Sequence, residues 1–552
     1  MKELSILIPS RSEMFLKNTI EDALKNSEAD TEIIAVLDGA WSDPQIEQND
    51  KVNVIYVPES IGQRAATNLA CKLAKGKYVM KIDAHCSFDK GFDKKMIAEM
   101  KTNYTMVPTM RNLWAFDWKC MKCGKKWYQG PTPTKCQEAN YIGTGKPCDS
   151  TVFKRKMMWV GKERPQSNSY CFDSEPHFKY FNEYTKTEKY KKDLETGLTE
   201  TMSLQGSCFM CTKKKYLELN LCDESVGSWG NQGIEVSMKT RLSGGKVIVN
   251  HKTWYSHLFR TQGGDFGFPY RQSGNEVART KKKIRDLFFN NMWDKQIYPL
   301  SKVIDQFYPV NGWSDEDINK LKENELKTER SGIYSIKSLA NGRIYIGSAI
   351  NIANRIFEHS RKLKQNSHCN VHLQNTWNKY GENDLKFEVL YFCKEKDLLK
   401  NEQRFIDEYK DKIGWDNMFN INPMTSSSLG RECSEETKEK ISISQTGKKA
   451  WNKGLTKETD ERIKKYANKL NGQNIWENKE HPRGMLGKIH TEKTKEKIGF
   501  AQRGIPKSDE HNRKNSESHI GKIFSKEHRN NLSLAQKNLN RKRNEKGQYF
   551  NS

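Results

Sequence analysis

The stretch Lys77–Cys86, KYVMKIDAHC, limits what this chain can fold into more than any other. Tyr78–Ile82 reads as a short buried strand. Val79, Met80 and Ile82 are apolar, and Gly76 closes the helix-like run before them. Asp83 and His85 are separated by one residue, so both side chains leave the carboxyl end of that strand on the same side. That end is where open α/β sheets bind ligands. A carboxylate oxygen beside an imidazole nitrogen is a pair that a divalent cation such as Mn²⁺ accepts. A capping aspartate next to a satisfied histidine has the same sequence, so the pair alone leaves both readings open.

Leu4–Pro9, Glu32–Leu37, Val52–Val57 and Tyr78–Ile82 read as strands, with helices over Lys17–Lys25 and Arg64–Lys75 between them. This alternation predicts an α/β fold with a mostly parallel, helix-covered sheet. The second strand also ends in an acid, Asp38, followed by Gly39, where a carboxylate can accept hydrogen bonds from a base or ribose. The chain of 552 residues is too long for one core. Its net charge of +25 calls for a polyanionic partner. No apolar run reaches the roughly 20 residues that span a bilayer, so no membrane role is expected. Thirteen cysteines, an odd number, fit a reducing, cytoplasmic compartment and a metal site.

The stretch ILIPSRSE, then SIGQRAATNLACKLAKGKYVMKIDAHC, resembles the family-2-like glycosyltransferases of the Rossmann-like GT-A fold, in the polypeptide N-acetylgalactosaminyltransferase branch. A second block about 140 residues on, Gly227–Arg260, carries Trp229-Gly230, Glu235, Gly244-Gly245 and His257-Leu-Phe-Arg260 in the branch's order. The resemblance implies that Asp83, His85 and His257 bind one Mn²⁺, which holds the diphosphate of a nucleotide-sugar donor. Arg64 and Arg260 would add positive charge there, and Glu235 would face the acceptor. A structural ion pair is the other reading of Glu235. The branch usually has an acid where this chain has Gln232, which leaves inversion or retention open.

Between the two blocks lies an insert, about 112–174, with Cys120-Met-Lys-Cys123-Gly124, then Cys136 and Cys148. The C-x2-C-G knuckle suits Zn²⁺, with the widely spaced Cys136 and Cys148 as the other two ligands; free thiols are the other reading. Cys208 and Cys211 lack the glycine and read as buried thiols. The segment Gly263–Tyr270 is a glycine-aromatic loop, with closure over a donor and a plain surface loop both open as readings. Residues 312–330 start with a Ser314 cap and continue as charged residues throughout. They read as a linker between a first domain, 1–311, and a second that begins at 331.

Gly332-Ile-Tyr334 and Tyr345-Ile-Gly347 flank Asn341-Gly342, a hairpin turn signal. Arg355 and His359 follow at i and i+4 on one helix face, then His368, Glu402 and Asn420. In that order these residues resemble the GIY-YIG nuclease family over 331–424, a small α+β domain. The resemblance implies cleavage of double-stranded DNA, with Glu402 holding Mg²⁺, Arg355 stabilising charge, Tyr334 activating water, and Tyr345 and His359 moving protons.

Residues 430–552 repeat a capped turn, a glycine stop and a basic connection; Thr491, Ser508 and Ser525 are spaced 17 apart. Residues 431–552 hold 29 Lys or Arg against 16 Asp or Glu, a surplus of 13. The tail resembles the modular DNA-binding repeats of homing endonucleases. The whole reads as a glycosyltransferase joined to a mobile endonuclease, of a type found in bacteriophages, with modified bases of phage DNA as one candidate acceptor. The alternatives are a glycan or protein acceptor with a passenger nuclease, and a C-terminal half that only tethers DNA.

Overall fold

The computed structural model describes residues 2–425, apart from 139–142, 144, 261–262 and 271–273, and short scattered stretches beyond 425. It divides into two compact units, Met1–Glu432 and Cys433–Ser552.

The first unit opens with β1 (Leu4–Ser10), β2 (Thr31–Asp38), β3 (Val52–Val57) and β4 (Tyr78–Ile82). They lie parallel in the order β3-β2-β1-β4. All residues of β1, β2 and β4 are buried, as parallel strands covered on both faces require. The helices Leu16–Asn26 and Gln63–Leu73 cover them, within two residues of the expected bounds. The sheet continues through shorter and longer pieces. These are β5 (Cys86–Phe88), β6 (Tyr104–Cys120), β7 (Lys126–Tyr128), β8 (Phe153–Ser167), β11 (Leu198–Glu200), β12 (Cys208–Thr212) and β13 (Lys246–His257), with β9 (Tyr170–Phe172) and β10 (Phe178–Tyr180) outside it. β12 runs antiparallel to β4, β6 follows, and β13 pairs parallel with β6. β9 and β10 form a separate pair. The fold is therefore mixed α/β beyond its parallel first half. Cys208 and Cys211 are buried in the middle of this sheet, as free thiols pushed up by burial.

Two devices aim side chains at the carboxyl edge. Asp83 follows β4 directly and is fixed by its amide, which donates to the Ser207 carbonyl at 2.8 Å. In β13 the register with β6 jumps between Asn250 and Trp254, so the last four residues pair anew with β6 and the last three also with β5. Such a bulge turns the strand, and it brings His257 alongside the end of β4.

The expected linker is a helix, Asp315–Leu326, closed by a capping box between Ser314 and Asp317. Ile318 and Leu321 are buried in a cluster with Phe307 and Trp313 of the transferase side. Leu326 packs on the nuclease side. The apolar positions fall on one face, and the surrounding charges conceal them in the sequence. Arg330 seals the seam: its guanidinium donates to the carbonyls of Asn291, Trp293 and Gln296 and lies 4.3 Å from the Phe392 ring. The first unit thus joins two cores through a built contact.

Glu325, 1% exposed, sits in that seam and accepts from the Ser301 amide and hydroxyl. Burial pushes its carboxyl up to about 7 from the usual 4.5. The folded state therefore binds the proton more tightly than the unfolded one. Stability is greatest below pH 4.5 on this account and falls as pH rises toward 7, by up to about 3 kcal/mol. Thermal melts from pH 5.5 to 8 should show this decline, and Glu325→Gln should flatten it.

The nuclease side is a three-stranded antiparallel sheet, β14 (Gly332–Ser338), β15 (Ile344–Ala349) and β16 (Leu385–Phe392), with β14 central. The helices Ile352–Lys364, Val371–Tyr380 and Leu398–Ile413 complete it. The β14–β15 turn spans five residues, with Gly342 at φ +71°.

In the second unit, Arg541–Arg543 pairs antiparallel with Tyr549–Asn551. The Arg529 amide donates to the Ser525 carbonyl, consistent with a helical start there. At the Thr456 copy the cap is Asp460, whose carboxylate accepts from the Arg462 amide. The Ser434, Thr491 and Ser508 copies begin outside the described residues.

Candidate active sites

At the carboxyl edge, one ligand atom each from Asp83, His85 and His257 lie within 4.8 Å of one another. Asp83 Oδ2 is 3.2 Å from His257 Nε2. Its other oxygen takes the buried Lys81 ammonium at 2.5 Å. Burial would raise the Asp83 carboxyl, but Lys81 and His257 hold it well below the usual range. Burial lowers His257, so its imidazole is neutral and able to ligate.

Glu13, which sequence reasoning passed over within ILIPSRSE, orders this edge. His85 Nδ1 lies 3.0 Å from Glu13 Oε2, and Arg260 donates to the same oxygen at 2.7 Å. A carboxylate on Nδ1 fixes the tautomer and leaves Nε2 free toward Asp83, the arrangement common behind metal-binding histidines. Two buried donors here, Arg260 Nε and His257 Nδ1, have no partner among the described residues. A hard carboxylate oxygen, two imidazoles and the unpartnered Nε of Arg260 fit a Mn²⁺ ion that carries an anionic ligand.

A cavity of about 280 Å³ lies over this edge, lined by Arg11, Asp83, His257, Arg260, Phe268 and Tyr270. A second, of about 270 Å³, shares Asp83, Gln63 and Trp229 with it and extends to Phe178 and Asn231. The Gly263–Tyr270 loop is thus a wall of the site.

Three expected site residues stand elsewhere. The Asp38 carboxylate is buried and accepts from Ser60 Oγ and the Ile61 and Gly62 amides, bracing the turn before the helix Gln63–Leu73. Arg64 is also fully buried; it pairs with Glu235 at 2.8 Å and holds the carbonyls of Gly227 and Gly230. Glu235 is sealed between Arg64 and Lys239 and accepts from the Asp223 amide. The ion-pair reading of Glu235 holds, and no acceptor can reach it. Buried pairs of this kind are retained for geometry more than for stability; here they shape the 227–230 loop that carries Trp229.

In the insert, Cys120 Sγ is 3.7 Å from Cys148 Sγ, and Cys123 Sγ is 3.6 Å from Cys136 Sγ. Sulfurs at the corners of a tetrahedron with Zn–S bonds of about 2.3 Å lie about 3.8 Å apart, whereas a disulfide is about 2.05 Å. Gly124 takes φ +75° at the knuckle. Burial opposes ionisation of Cys120, but the amides of Cys123 and Lys122 donate to it and bring the thiol down to about 6. Metal analysis of the full chain should find about one zinc, lost when Cys120 and Cys123 both become serine.

On the nuclease side, Tyr334 OH is 2.7 Å from His359 Nε2 and accepts from Arg355 Nε at 3.2 Å. His359 Nδ1 is 2.7 Å from His368 Nε2, and His368 Nδ1 accepts from the Asn370 amide at 3.0 Å. That amide can only donate, and it sets the chain: His368 donates to His359, and His359 to the Tyr334 oxygen. Burial and Arg355 lower His359 to about 3, so it is neutral. Burial raises the Tyr334 phenol, against the pull of Arg355. Gly347 is required, because a Cβ there would meet the Tyr334 hydroxyl at 2.5 Å. Glu402 accepts from Ser348 Oγ at 2.6 Å, and burial raises its carboxyl. Tyr345, Arg355, His359, His368 and Glu402 line one cleft of about 260 Å³. Asn420 lines the same cleft and braces the edge of β15 through both backbone groups of Ile346. A single carboxylate in an open polar cleft fits Mg²⁺, which keeps waters and takes substrate phosphate as further ligands.

Two separate clefts, each with its own acid and cation set, define a fusion of two catalytic domains. Residues 5–159 match the glycosyl transferase family 2 model, 330–414 the GIY-YIG catalytic domain, and 430–465 with 485–505 the NUMOD3 motif. The chain therefore carries a family 2 glycosyltransferase domain, a GIY-YIG domain and a NUMOD3 DNA-binding motif. It is 36% identical to intron-associated endonuclease 1 of Enterobacteria phage T4 over 109 residues, 19% of this chain and 41% of that one. It is 23% identical to mouse polypeptide N-acetylgalactosaminyltransferase 3 over 297 residues, 52% and 41% of the two chains. The crystal structure of GalNAc-T7 with UDP, GalNAc and Mn²⁺ aligns at 14% identity and a TM-score of 0.35, covering 63% of this chain and 65% of that one. The chain spans less than half the length of the curated relatives it matches.

Proposed function

We propose that the chain transfers a sugar from a nucleotide-sugar and also hydrolyses phosphodiesters of double-stranded DNA. The observation that carries the first activity is the meeting of Asp83, His85 and His257 from two distant blocks at one sheet edge. These three residues would hold Mn²⁺, which when bound neutralises charge on the donor's diphosphate. Glu13 keeps His85 in its ligating tautomer. Arg260 offers its unspent Nε to a phosphate oxygen. Trp229 and Phe178 give the neighbouring cavity aromatic faces for a sugar or acceptor. In the transfer, the anomeric carbon leaves its phosphate oxygen and bonds an acceptor oxygen. The acceptor's proton passes to the departing diphosphate or to solvent.

In the second cleft Glu402 would hold Mg²⁺ against the scissile phosphate. The Tyr334 oxygen, fully buried and with its phenol raised by burial, takes hydrogen bonds from Arg355 and His359 and would position Arg355 toward the phosphate. Arg355 faces the charge gathering on phosphorus, and Tyr345 stands by for the leaving group.

The favoured acceptor is DNA, because the same chain carries two DNA-type modules; a glycan or protein acceptor is the second reading. No helix among the described residues is long and apolar enough to cross a membrane. The free cysteines suit a reducing compartment such as a host cytoplasm.

The test is to incubate the full chain with UDP-glucose, UDP-GlcNAc or UDP-GalNAc and Mn²⁺, and with supercoiled plasmid and Mg²⁺. Release of UDP and nicking of the plasmid are expected. Failure of both in metal-loaded protein would overturn the proposal.

A further inference from the structure

We propose that the three-stranded ribbon β6–β7–β8 is a DNA-binding surface that presents the acceptor to the transferase cleft. This rests on the sugar-transfer reading and names the acceptor's class. Residues 112–167 hold 11 Lys or Arg against 4 Asp or Glu, a surplus of 7 in a 56-residue segment.

The register concentrates that charge. Lys119 of β6 is paired directly with Lys126 of β7 on one side and with Lys154 of β8 on the other. Directly opposed residues share a face of the sheet, so three exposed lysines form one row across three strands. Like charges set opposite each other destabilise a sheet. None of the three has an acidic partner among the described residues. Lys125 and Lys135, by contrast, pair with Glu138 and Asp149. The next row carries Tyr128, whose ring lies 4.4 Å from the Lys162 ammonium. An exposed ring among cations is what a nucleic-acid surface combines.

The other face of the ribbon is committed. Trp118 and Phe116 are buried in a cluster with Phe15 and Leu258, under the Arg155 guanidinium. The lysine row therefore faces outward, and the Cys120, Cys123, Cys136 and Cys148 cluster pins the tip. The row spans about 10 Å at strand spacing, a length over which duplex DNA carries several phosphates at one charge per about 1.7 Å of axis.

The ribbon also leads to the cleft. His257 is paired with Asn112 of β6, seven residues before Lys119, or about 23 Å along the strand. Thr132, beyond β7, donates through its amide and hydroxyl to Asp265 of the loop that walls the cavity. DNA on the row would lie beside the donor site, where a DNA hydroxyl oxygen takes the anomeric carbon from the diphosphate and gives up its proton.

The test is lysine acetylation of the full chain, read by mass spectrometry, with and without a 40-base-pair duplex. Lys119, Lys126 and Lys154 should react at least threefold more slowly with DNA present. Changing all three to glutamine should raise the duplex concentration for half-maximal sugar transfer about tenfold. Equal acetylation with and without duplex, protection confined to the tail, or protection by poly(glycerol phosphate) but not by duplex would each overturn the proposal. UDP-sugar hydrolysis by the parent chain without DNA is read separately. Its absence would count against the transfer reading, while the acetylation pattern still decides this one.

Discussion

Asp83→Asn is expected to lower nucleotide-sugar turnover about a thousandfold or more, roughly 4 kcal/mol in the barrier, and to leave DNA cleavage unchanged. The substitution removes the one anionic ligand of the triad while keeping its shape. Alanine is the poorer choice because Lys81 is fully buried against Asp83. Removing the whole side chain would leave that ammonium with the Gly206 carbonyl alone, whereas asparagine keeps an amide oxygen to accept from it; stripping a buried charge of its partner destabilises by about 3–5 kcal/mol. His257→Ala should give a similar loss by a different route, since its neutral imidazole supplies a ligand and no buried cation depends on it. Mn²⁺ binding, followed by the loss of the free-ion electron paramagnetic resonance signal, should weaken in both variants.

Glu402→Ala should remove plasmid nicking by about a thousandfold or more while duplex affinity stays within about twofold. The side chain's described hydrogen bond is to Ser348, so the fold loses little. The cations that meet phosphate, Arg355 and those of the tail, remain. The pH profile of the parent adds a check. His359 is held near 3 and is neutral at all working pH values. The nicking profile should therefore show no histidine step near pH 6.5, where an ordinary histidine would titrate.

The parallel half of the sheet could be read from sequence because fully buried strands are unbroken apolar runs, and β4 with Asp83 and His85 needed nothing more. His257 came from motif order; the β13 bulge that delivers it has no sequence signature. The tyrosine hairpin was legible from Asn341-Gly342 and from residues in family order. Burial of charge was legible only in part: an ion pair was one reading of Glu235, but its partners Arg64 and Lys239 emerge only with the packed helix Gln232–Leu242. Glu13 was hidden for the opposite reason: its partners His85 and Arg260 are 72 and 247 residues away. The Ser314 cap of the helix Asp315–Leu326 was legible, but the burial of Ile318 and Leu321 was not, because the apolar stripe is narrow among many charges. The lysine row depends on strand register, which composition does not encode.

Two independent metal-dependent active sites on one chain can be separated by assaying UDP release and plasmid nicking side by side in the parent, Asp83→Asn and Glu402→Ala proteins. Asp83→Asn should lose only UDP release and Glu402→Ala only nicking. Loss of both activities in either variant with its fold intact, or retention of UDP release in Asp83→Asn, would contradict two independent sites.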